Sequence, residues 1–154
     1  KVLELGGGTG VLSWFAARKA RQVWCVERNP ALVRAARSFL SKNPGGDRVT
    51  VVQADAMTYL PPEPVDVVIC EMLHVGMVRE KQLEVLRSFC RRYQERFGPG
   101  LPLFIPDTST LAVQLIHQDF CFSGYTAEVP VFDPPGPHMQ DCWLADPHTY
   151  STID

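Results

Sequence analysis

The chain has 154 residues, of which 45% are hydrophobic and 21% are charged, and its formal net charge is -2. This length and composition indicate one globular chain with room for a hydrophobic core. A mildly acidic chain lacks the basic surface that nucleic acid requires, and no run of eighteen apolar residues could span a bilayer. We therefore expect a soluble protein of the cytoplasm, or of the nucleus in a eukaryote, with neither nucleic acid nor membrane as a partner.

Five cysteines are spread along the chain, an odd number with no Cys-x-x-Cys pair. This pattern predicts neither a disulfide framework nor a zinc site, and it favours a reducing compartment. The chain begins with Lys1, directly before the first predicted strand and without an initiator Met, so we expect a piece of a longer protein.

The first predicted elements are a short buried strand over residues 2–5 and a helix over residues 11–20, joined by a turn that is almost entirely glycine. Glycines let the backbone approach a ligand, and open α/β sheets bind ligands beyond the carboxyl ends of their strands. We expect the amides at the helix start to meet polar groups of that ligand. The turn therefore predicts a cofactor site.

The spacing of the glycines discriminates between cofactors. The dinucleotide fingerprint G-x-G-x-x-G/A would need Gly or Ala where the chain has Val11 or Ser13. The glycines instead resemble motif I of the class I S-adenosylmethionine-dependent methyltransferases, which implies S-adenosyl-L-methionine as the cofactor. The binding residues that this resemblance implies in the turn are Glu4, Gly6, Gly8, Thr9 and Gly10.

The second predicted strand, residues 23–26, is closed by Glu27, and a helix with Asn29 as its N-cap follows. An acid at this place, 17 residues past Gly10, can accept hydrogen bonds from the ribose hydroxyls of a bound nucleoside. Glu27 is therefore a further candidate cofactor residue, and the alternative is an ordinary exposed acid at a strand end.

The third predicted strand, residues 49–52, runs into an acid and a methionine. An acid just after this strand resembles the methyltransferase residue that reads the adenine amino group, and Met57 is placed to lie against the ring. The resemblance adds Asp55, Ala56 and Met57 to the cofactor site. For Asp55 the alternative is a helix N-cap.

A fourth strand over residues 65–70 and a fifth over residues 101–105 complete a series in which apolar strands alternate with helices. This series predicts an α/β fold, a Rossmann-like class I methyltransferase sheet that is mostly parallel and covered on both faces. We expect this domain to span residues 1–107. Residues 108–154 would form a β-rich segment, the start of a truncated substrate or barrel domain, with short strands such as residues 128–132.

The apolar residues of the three predicted helices mark their expected buried faces. These residues are Val11, Leu12, Phe15 and Ala16 in the first helix, Leu32, Ala36, Phe39 and Leu40 in the second, and Leu83, Leu86, Cys90, Tyr93 and Phe97 in the third.

Two glutamates nine residues apart, Glu71 and Glu80, bracket the loop after the fourth strand. The loop resembles the double-glutamate loop of the protein arginine methyltransferases, and residues 100–111 resemble that family's fifth strand and the lead into its second domain. The resemblance implies that both glutamates are catalytic and hold a substrate guanidinium, that Glu71 also contacts the cofactor, and that the substrate is an arginine-containing protein or peptide. Three departures stand against it. Cys70 replaces the family's usual Ser before the first glutamate, Met72-Leu73-His74 replaces the Trp or Pro, Met, Gly that usually follows it, and the Thr-His-Trp loop is absent.

Three functions stay open at this stage. The chain belongs to an enzyme that methylates arginine in proteins, to a methyltransferase for a small molecule or another nitrogen, or to a module that binds donor or partner without transfer. His74 is either a general base or a plain loop histidine. Glu80 is either a substrate ligand or an acid favoured by a helix dipole. A homodimer is compatible with the sequence.

Overall fold

The computed structural model describes residues 1–73, 80–113, 116–117, 121–122, 125–126, 142–143 and 146–153. The chain divides into two compact units, Lys1–Asp107 and Thr108–Asp154. Two expectations, a role for His74 and a strand over residues 128–132, lie outside the described residues. None of the described helices is long and apolar enough to cross a membrane.

The first unit contains a five-stranded sheet in the order β3-β2-β1-β4-β5, and every neighbouring pair is parallel. The predicted parallel α/β architecture is therefore confirmed. Its strands are β1 (Val2–Leu5), β2 (Val23–Glu27), β3 (Val49–Gln53), β4 (Val67–Ile69) and β5 (Leu103–Ile105). Its helices are α1 (Val11–Ala17), α2 (Pro30–Leu40) and α3 (Gln82–Phe97), with a short 3-10 turn at Gly46–Arg48.

The strand order reverses at β1. The chain adds β2 and β3 on one side of β1 and then returns to place β4 on the other side. The loops that follow β1 and β4 consequently diverge and open a crevice at the carboxyl edge of the sheet, the place where α/β sheets bind their ligands. Gly6 begins the first of these loops, and Cys70 begins the second.

Both faces of the sheet carry a hydrophobic core, because the residues of each strand alternate between the faces. On one face Leu3 and Val68 pack with α3, and on the other Val2 and Val23 pack with Ala17 of α1. All residues of β1 and β2 are buried, as expected for central strands covered on both sides.

The buried faces predicted for the helices are partly wrong. Tyr93 is buried on α3 as expected, but the rest of the buried face is Val85, Phe89 and the polar Gln82, while the other predicted residues lie at its flanks. On α1 the buried residues are Ser13 and Ala17, whereas Val11 and Phe15 are more than half exposed. On α2 the buried residues are Val33, Ala36 and Leu40, and Phe39 is half exposed.

Three element boundaries also differ from those predicted. Helix α1 ends at Ala17 rather than at residue 20, and β5 begins at Leu103, just after Pro102, which has no amide to donate to a ladder. Strand β4 begins at Val67 rather than at residue 65. The amide and carbonyl of Val65 are instead both bonded to the hydroxyl of Tyr93.

In the second unit the described segments are antiparallel strand pairs, in agreement with the expected β-rich segment. Strand β6 (Ser109–Val113) pairs with β11 (His148–Ile153), with a register shift between Thr149 and Ser151. The shorter pairs are β7 (Ile116–His117) with β10 (Cys142–Trp143), and β8 (Cys121–Phe122) with β9 (Tyr125–Thr126).

Candidate functional site

A cavity of about 570 Å³ lies where the glycine turn, the end of β2, the turn after β3 and the loop after β4 meet. Its volume is within the range of small-molecule and cofactor sites. The described residues that line it are Gly6, Gly8, Val26, Glu27, Arg28, Leu32, Ala54, Asp55, Ala56, Met57, Glu71, Met72, Leu73, Glu80, Lys81 and Val85.

Most of the predicted site residues come together in this cavity. They are Gly6, Gly8, Glu27, Asp55, Ala56, Met57, Glu71 and Glu80. Three others do not line it. Glu4 is buried beneath the turn, Thr9 is exposed on the turn, and Gly10 is buried where an added Cβ would press against Leu40 of α2.

The amides of the glycine turn are used within the protein. Gly6 and Gly7 both donate to the carbonyl of Val26, Gly8 donates to the Glu27 carboxylate, and Gly10 donates to the carbonyl of Gly7. These four amides are therefore already bonded within the protein, while the expectation for the amides at the start of α1, which begins at Val11, stays a prediction. The space beside Gly8 is open, because an added Cβ there would meet nothing within 4 Å. Its φ of 53° is a conformation that favours glycine.

A buried polar layer supports the turn from below. Ser13 donates a hydrogen bond to Glu4, and Cys25 lies so close to Gly7 that an added Cβ would overlap the thiol sulfur. Burial raises the pKa of Glu4. Burial, assisted by the nearby charge of Glu4, raises the pKa of Cys25 to about 12. Cys25 is consequently a packing residue at neutral pH, since the thiolate is the reactive form.

Glu27 is only 8% exposed and is held from two sides. Its Oε2 accepts from the Gly8 amide at 3.0 Å, and its Oε1 accepts from the Asn29 amide at 2.7 Å. Asn29 is the N-cap of α2, as predicted. Its side chain accepts a hydrogen bond of 2.9 Å from the amide of Ala31. Each carboxylate oxygen of Glu27 retains a second lone pair, and the group borders the cavity.

Asp55 lies at the start of a turn and no helix directly follows it, so the alternative interpretation of Asp55 as a helix N-cap is wrong. Its Oδ1 accepts from the Met57 amide at 2.8 Å, and its carbonyl accepts from the amides of Thr58 and Tyr59 at 3.0 Å each. Ala56 and Met57 are partly buried against the core and give this side of the cavity an apolar surface.

Helix α3 contributes contacts that the sequence did not predict. The carbonyl of Met57 accepts from Ser88 Oγ and from Arg92 Nη1, both at 3.0 Å, and Arg92 Nη2 donates to the carbonyl of Thr58. The amide of Met72 donates to Gln82 Oε1 at 2.8 Å. No sequence signal marked these contacts, because the predicted buried face of α3 did not include Gln82, which the structure shows to be buried.

Glu71 and Glu80 are exposed and line the cavity from the two ends of the loop after β4. Glu71 Oε1 accepts from the Leu73 amide at 3.2 Å. Glu80 lies just before Lys81, which has a φ of 57° at the N-terminus of α3, a conformation that non-glycine residues rarely adopt. The position of Glu80, in the cavity lining and near the start of α3, agrees both with a substrate ligand and with an acid favoured by the helix dipole.

A parallel sheet in this order, with a glycine turn after its central strand and an acid closing the next strand, is the arrangement of nucleotide-binding α/β folds, the class I methyltransferases among them. Residues 2–95 match the family model described as a methyltransferase domain, which covers more than half of the chain. The chain belongs to this family, and its cofactor is S-adenosyl-L-methionine.

Among curated proteins, the chain is 38% identical over 123 residues to the "Probable histone-arginine methyltransferase CARM1" of Oryza sativa subsp. indica, which covers 79% of this chain and 22% of the relative. It is 29% identical over 123 residues to the "Arginine N(omega)-methyltransferase" of Streptomyces achromogenes subsp. streptozoticus, which covers 77% and 33%. The chain spans about a third or less of the length of the first curated relatives that it matches.

Among solved structures, the crystal structure of PRMT6-SAH superposes with a TM-score of 0.71 at 16% identity, over 99% of this chain and 56% of that one. At this identity the likeness shows the fold alone.

The residues of the cavity fit S-adenosyl-L-methionine. A nucleoside presents ribose hydroxyls that need acceptors, and Glu27 is an oriented carboxylate with lone pairs to spare. A purine ring needs an apolar surface, which Ala56 and Met57 provide. A sulfonium cation is favoured where carboxylates outnumber basic groups, as among the described lining residues.

Proposed function

We propose that the whole protein transfers a methyl group from S-adenosyl-L-methionine to a guanidinium nitrogen of arginine in a protein or peptide. The observation that carries the proposal is that Glu71 and Glu80 line the same cavity as the glycine turn. The resemblance of their loop to a double-glutamate loop supports it, and so does the likeness to the rice relative, which is named a probable histone-arginine methyltransferase.

On the donor side, Glu27 accepts hydrogen bonds from the ribose hydroxyls and Asp55 interacts with the adenine amino group. Ala56 and Met57 pack against the ring, and Gly6 and Gly8 permit close approach. Glu4, Thr9 and Gly10 act from outside the cavity by maintaining the turn. The bound donor supplies an electrophilic methyl carbon attached to a sulfonium.

On the acceptor side, Glu71 and Glu80 bind the guanidinium through charge-assisted hydrogen bonds. A guanidinium is a poor nucleophile because its lone pairs are delocalised. Carboxylates that hold two of its nitrogens draw positive charge toward themselves and fix the plane of the group. The third nitrogen would then have a more localised lone pair directed at the methyl carbon. Its new N–C bond would form as the C–S bond of the donor breaks, the sulfur would leave as a neutral thioether, and one proton of the methylated nitrogen would pass to solvent.

The charge of the cavity favours this pair of reactants. Its described lining has four carboxylates, of Glu27, Asp55, Glu71 and Glu80, against the two cations of Arg28 and Lys81. A sulfonium and a guanidinium repel each other by about 4 kcal/mol at ~4 Å and an effective dielectric constant near 20. The excess of two negative charges offsets that repulsion.

One observation favours a second candidate, a small molecule that contains arginine or a similar group. Lys81 lies beside Glu80 in the cavity lining and is more than half exposed. An ammonium there suits the carboxylate of a free amino acid, and the Streptomyces relative is named for arginine itself.

The test uses the full-length protein with radiolabelled donor and three acceptors, an arginine-rich peptide, its lysine counterpart and free arginine. Glu71→Gln and Glu80→Gln should each lower turnover of the arginine peptide by orders of magnitude and leave donor affinity within about three-fold. Glu95→Gln is the matched control, because Glu95 is exposed on α3 and is not part of the cavity lining.

Near-normal transfer by Glu80→Gln would contradict the clamp and reduce Glu80 to an acid at a helix start. Methylation of free arginine but not of the peptide would favour the second candidate. Tight donor binding without any transfer would identify a binding module.

A further inference from the structure

Helix α3 contacts the backbone of two separate parts of the cavity. We call residues 55–58 the donor wall and residues 71–73 the substrate wall, terms that rest on the proposed function. We propose that Arg92 positions the donor wall and Gln82 positions the substrate wall, so that one helix sets donor affinity and substrate turnover through two independent contacts.

Arg92 holds the donor wall at its carbonyls. Its two terminal nitrogens donate to the consecutive carbonyls of Met57 and Thr58, and Ser88 adds a third hydrogen bond, to Met57. The wall is a turn, and its internal hydrogen bonds all end on Asp55. Bonds from a charged guanidinium are stronger than bonds between neutral groups. Arg92 therefore determines where Ala56 and Met57 lie relative to the rest of the cavity.

Arg92 is not among the described lining residues of the cavity, so it acts through the turn and not by touching a ligand. Removal of its head group leaves two carbonyls without their cationic donor. The turn would then sample positions that are less suited to the adenosyl group. We expect weaker donor binding, with the chemical step unchanged once the donor is saturating.

Gln82 ties the two ends of the loop after β4 together. Its side chain is 2% exposed, and its Oε1 accepts from the amide of Met72 at 2.8 Å. Met72 directly follows Glu71, and Gln82 lies two residues after Glu80. This hydrogen bond consequently fixes the backbone of one glutamate relative to that of the other, which is the separation that a bidentate cation clamp needs.

The Met72 side chain gives the substrate wall a second point of contact. An added Cβ on Gly6 would lie 2.9 Å from both Cγ and Sδ of Met72, so this side chain packs over the glycine turn. Loss of the Gln82 bond would free the Met72 backbone while the donor wall keeps its own contacts with Arg92.

The experiment compares two constants on the full-length protein, the donor Kd from calorimetry and kcat/KM for an arginine-rich peptide at saturating donor. The value of kcat is obtained from the same kinetic data. Arg92→Met should raise the donor Kd by about tenfold and leave kcat within about twofold. Gln82→Leu should lower kcat/KM for the peptide by about tenfold and leave the donor Kd within about twofold. Arg92→Lys and Gln82→Glu, which retain a donor and an acceptor respectively, should recover part of each loss.

Two controls separate positioning from general damage to the helix. Arg91→Met changes the exposed arginine that directly precedes Arg92, and it should change neither the donor Kd nor kcat/KM. Tyr93→Phe loosens α3 from Val65 without touching either wall, so it should lower the melting temperature and leave both constants unchanged. If Arg92→Met does not fold, Ser88→Ala tests the same wall by a smaller change.

Parallel changes of both constants in both variants, in step with the melting temperature, would overturn the proposal, as would unchanged constants. If the wild-type protein transfers no methyl group, the proposed function fails and the Gln82 half fails with it. The Arg92 half is still decided in that case by donor affinity, so the two failures are distinguishable.

Discussion

The carboxylate of Glu27, at the end of β2, accepts a hydrogen bond of 3.0 Å from the amide of Gly8, in the turn after β1. The same carboxylate accepts from the Asn29 amide at the start of α2. One buried acid thereby joins the ends of two adjacent strands and borders the cavity. Glu27 has two roles, in the structure of the turn and in donor binding, and measurements of stability and of donor affinity distinguish them.

Replacement of Glu27 by Ala should weaken donor binding by at least about tenfold, because a hydrogen bond to a charged group contributes about 1.5 to 3 kcal/mol. It should also lower the free energy of unfolding, since the amides of Gly8 and Asn29 lose their acceptor. Calorimetry with the demethylated product measures the first effect and urea denaturation the second. Wild-type affinity in Glu27→Ala would remove the ribose assignment and leave only the role in the turn.

Substitution of Gly7 tests the contact between the turn and β2. Gly7→Ala should destabilise the fold by about 1 to 3 kcal/mol, because its Cβ would overlap the Cys25 sulfur in a buried layer. Cys25→Ala removes that sulfur. In urea denaturation the double variant should therefore be more stable than the sum of the two single effects predicts, by about 0.5 kcal/mol or more. Simple additivity would show that Cys25 is not what excludes a side chain at Gly7.

The raised pKa of Glu4 predicts how the free energy of unfolding varies with pH. Burial raises the pKa of Glu4 above its ordinary value of 4.5 in the folded protein, whereas the unfolded chain keeps the ordinary value. The folded state thus binds the proton more tightly, and this contribution is complete below pH 4.5 and is lost as the pH rises through the folded pKa. Glu4→Gln keeps an oxygen for Ser13 and does not titrate.

The free energy of unfolding of the wild type relative to Glu4→Gln should therefore fall as the pH rises from about 4 to about 8. Denaturant titrations at several pH values measure the difference, and Glu95→Gln, at an exposed position on α3, should show no comparable trend. A wild type that gains stability relative to Glu4→Gln over this interval would contradict the raised pKa.

Tyr93 stabilises the segment that leads into β4. Its hydroxyl accepts from the Val65 amide at 2.9 Å and donates to the Val65 carbonyl at 3.2 Å, and the residue is 3% exposed. Tyr93→Phe leaves both buried groups unpaired and should cost about 1 to 3 kcal/mol in urea denaturation. Tyr59→Phe is the control, because Tyr59 is only partly buried. Equal losses in the two variants would mean that the Tyr93 hydroxyl has no special role.

Local sequence patterns were sufficient to predict the parallel sheet and half of the described cavity lining. Continuous apolar runs such as that of β2 predict central strands, and the carboxyl ends of parallel strands necessarily meet at one edge. Gly8, Glu27, Asp55 and Glu71 each follow or close a strand, so the order of the sheet alone brings them together.

The helix faces could not be predicted in the same way. On α3 the apolar residues are numerous enough to form two neighbouring stripes at helical spacing, one through Leu86 and Cys90 and one through Val85 and Phe89. Only packing against the sheet selects the second stripe. The same selection places Gln82 inside the protein, where its oxygen accepts the Met72 amide.

The sequence by itself determined the parallel α/β class of the sheet, the glycine turn and the acids at the strand ends, because these depend on residues close together in the chain. Only the tertiary structure decided that Glu4 lies beneath the turn, that the turn's amides are already bonded, and that Arg92 reaches the carbonyls of the donor wall. The contacts of Arg92, and those of the Gly6 and Gly7 amides, join residues far apart in sequence and end on backbone carbonyls, which every residue has and no sequence pattern marks.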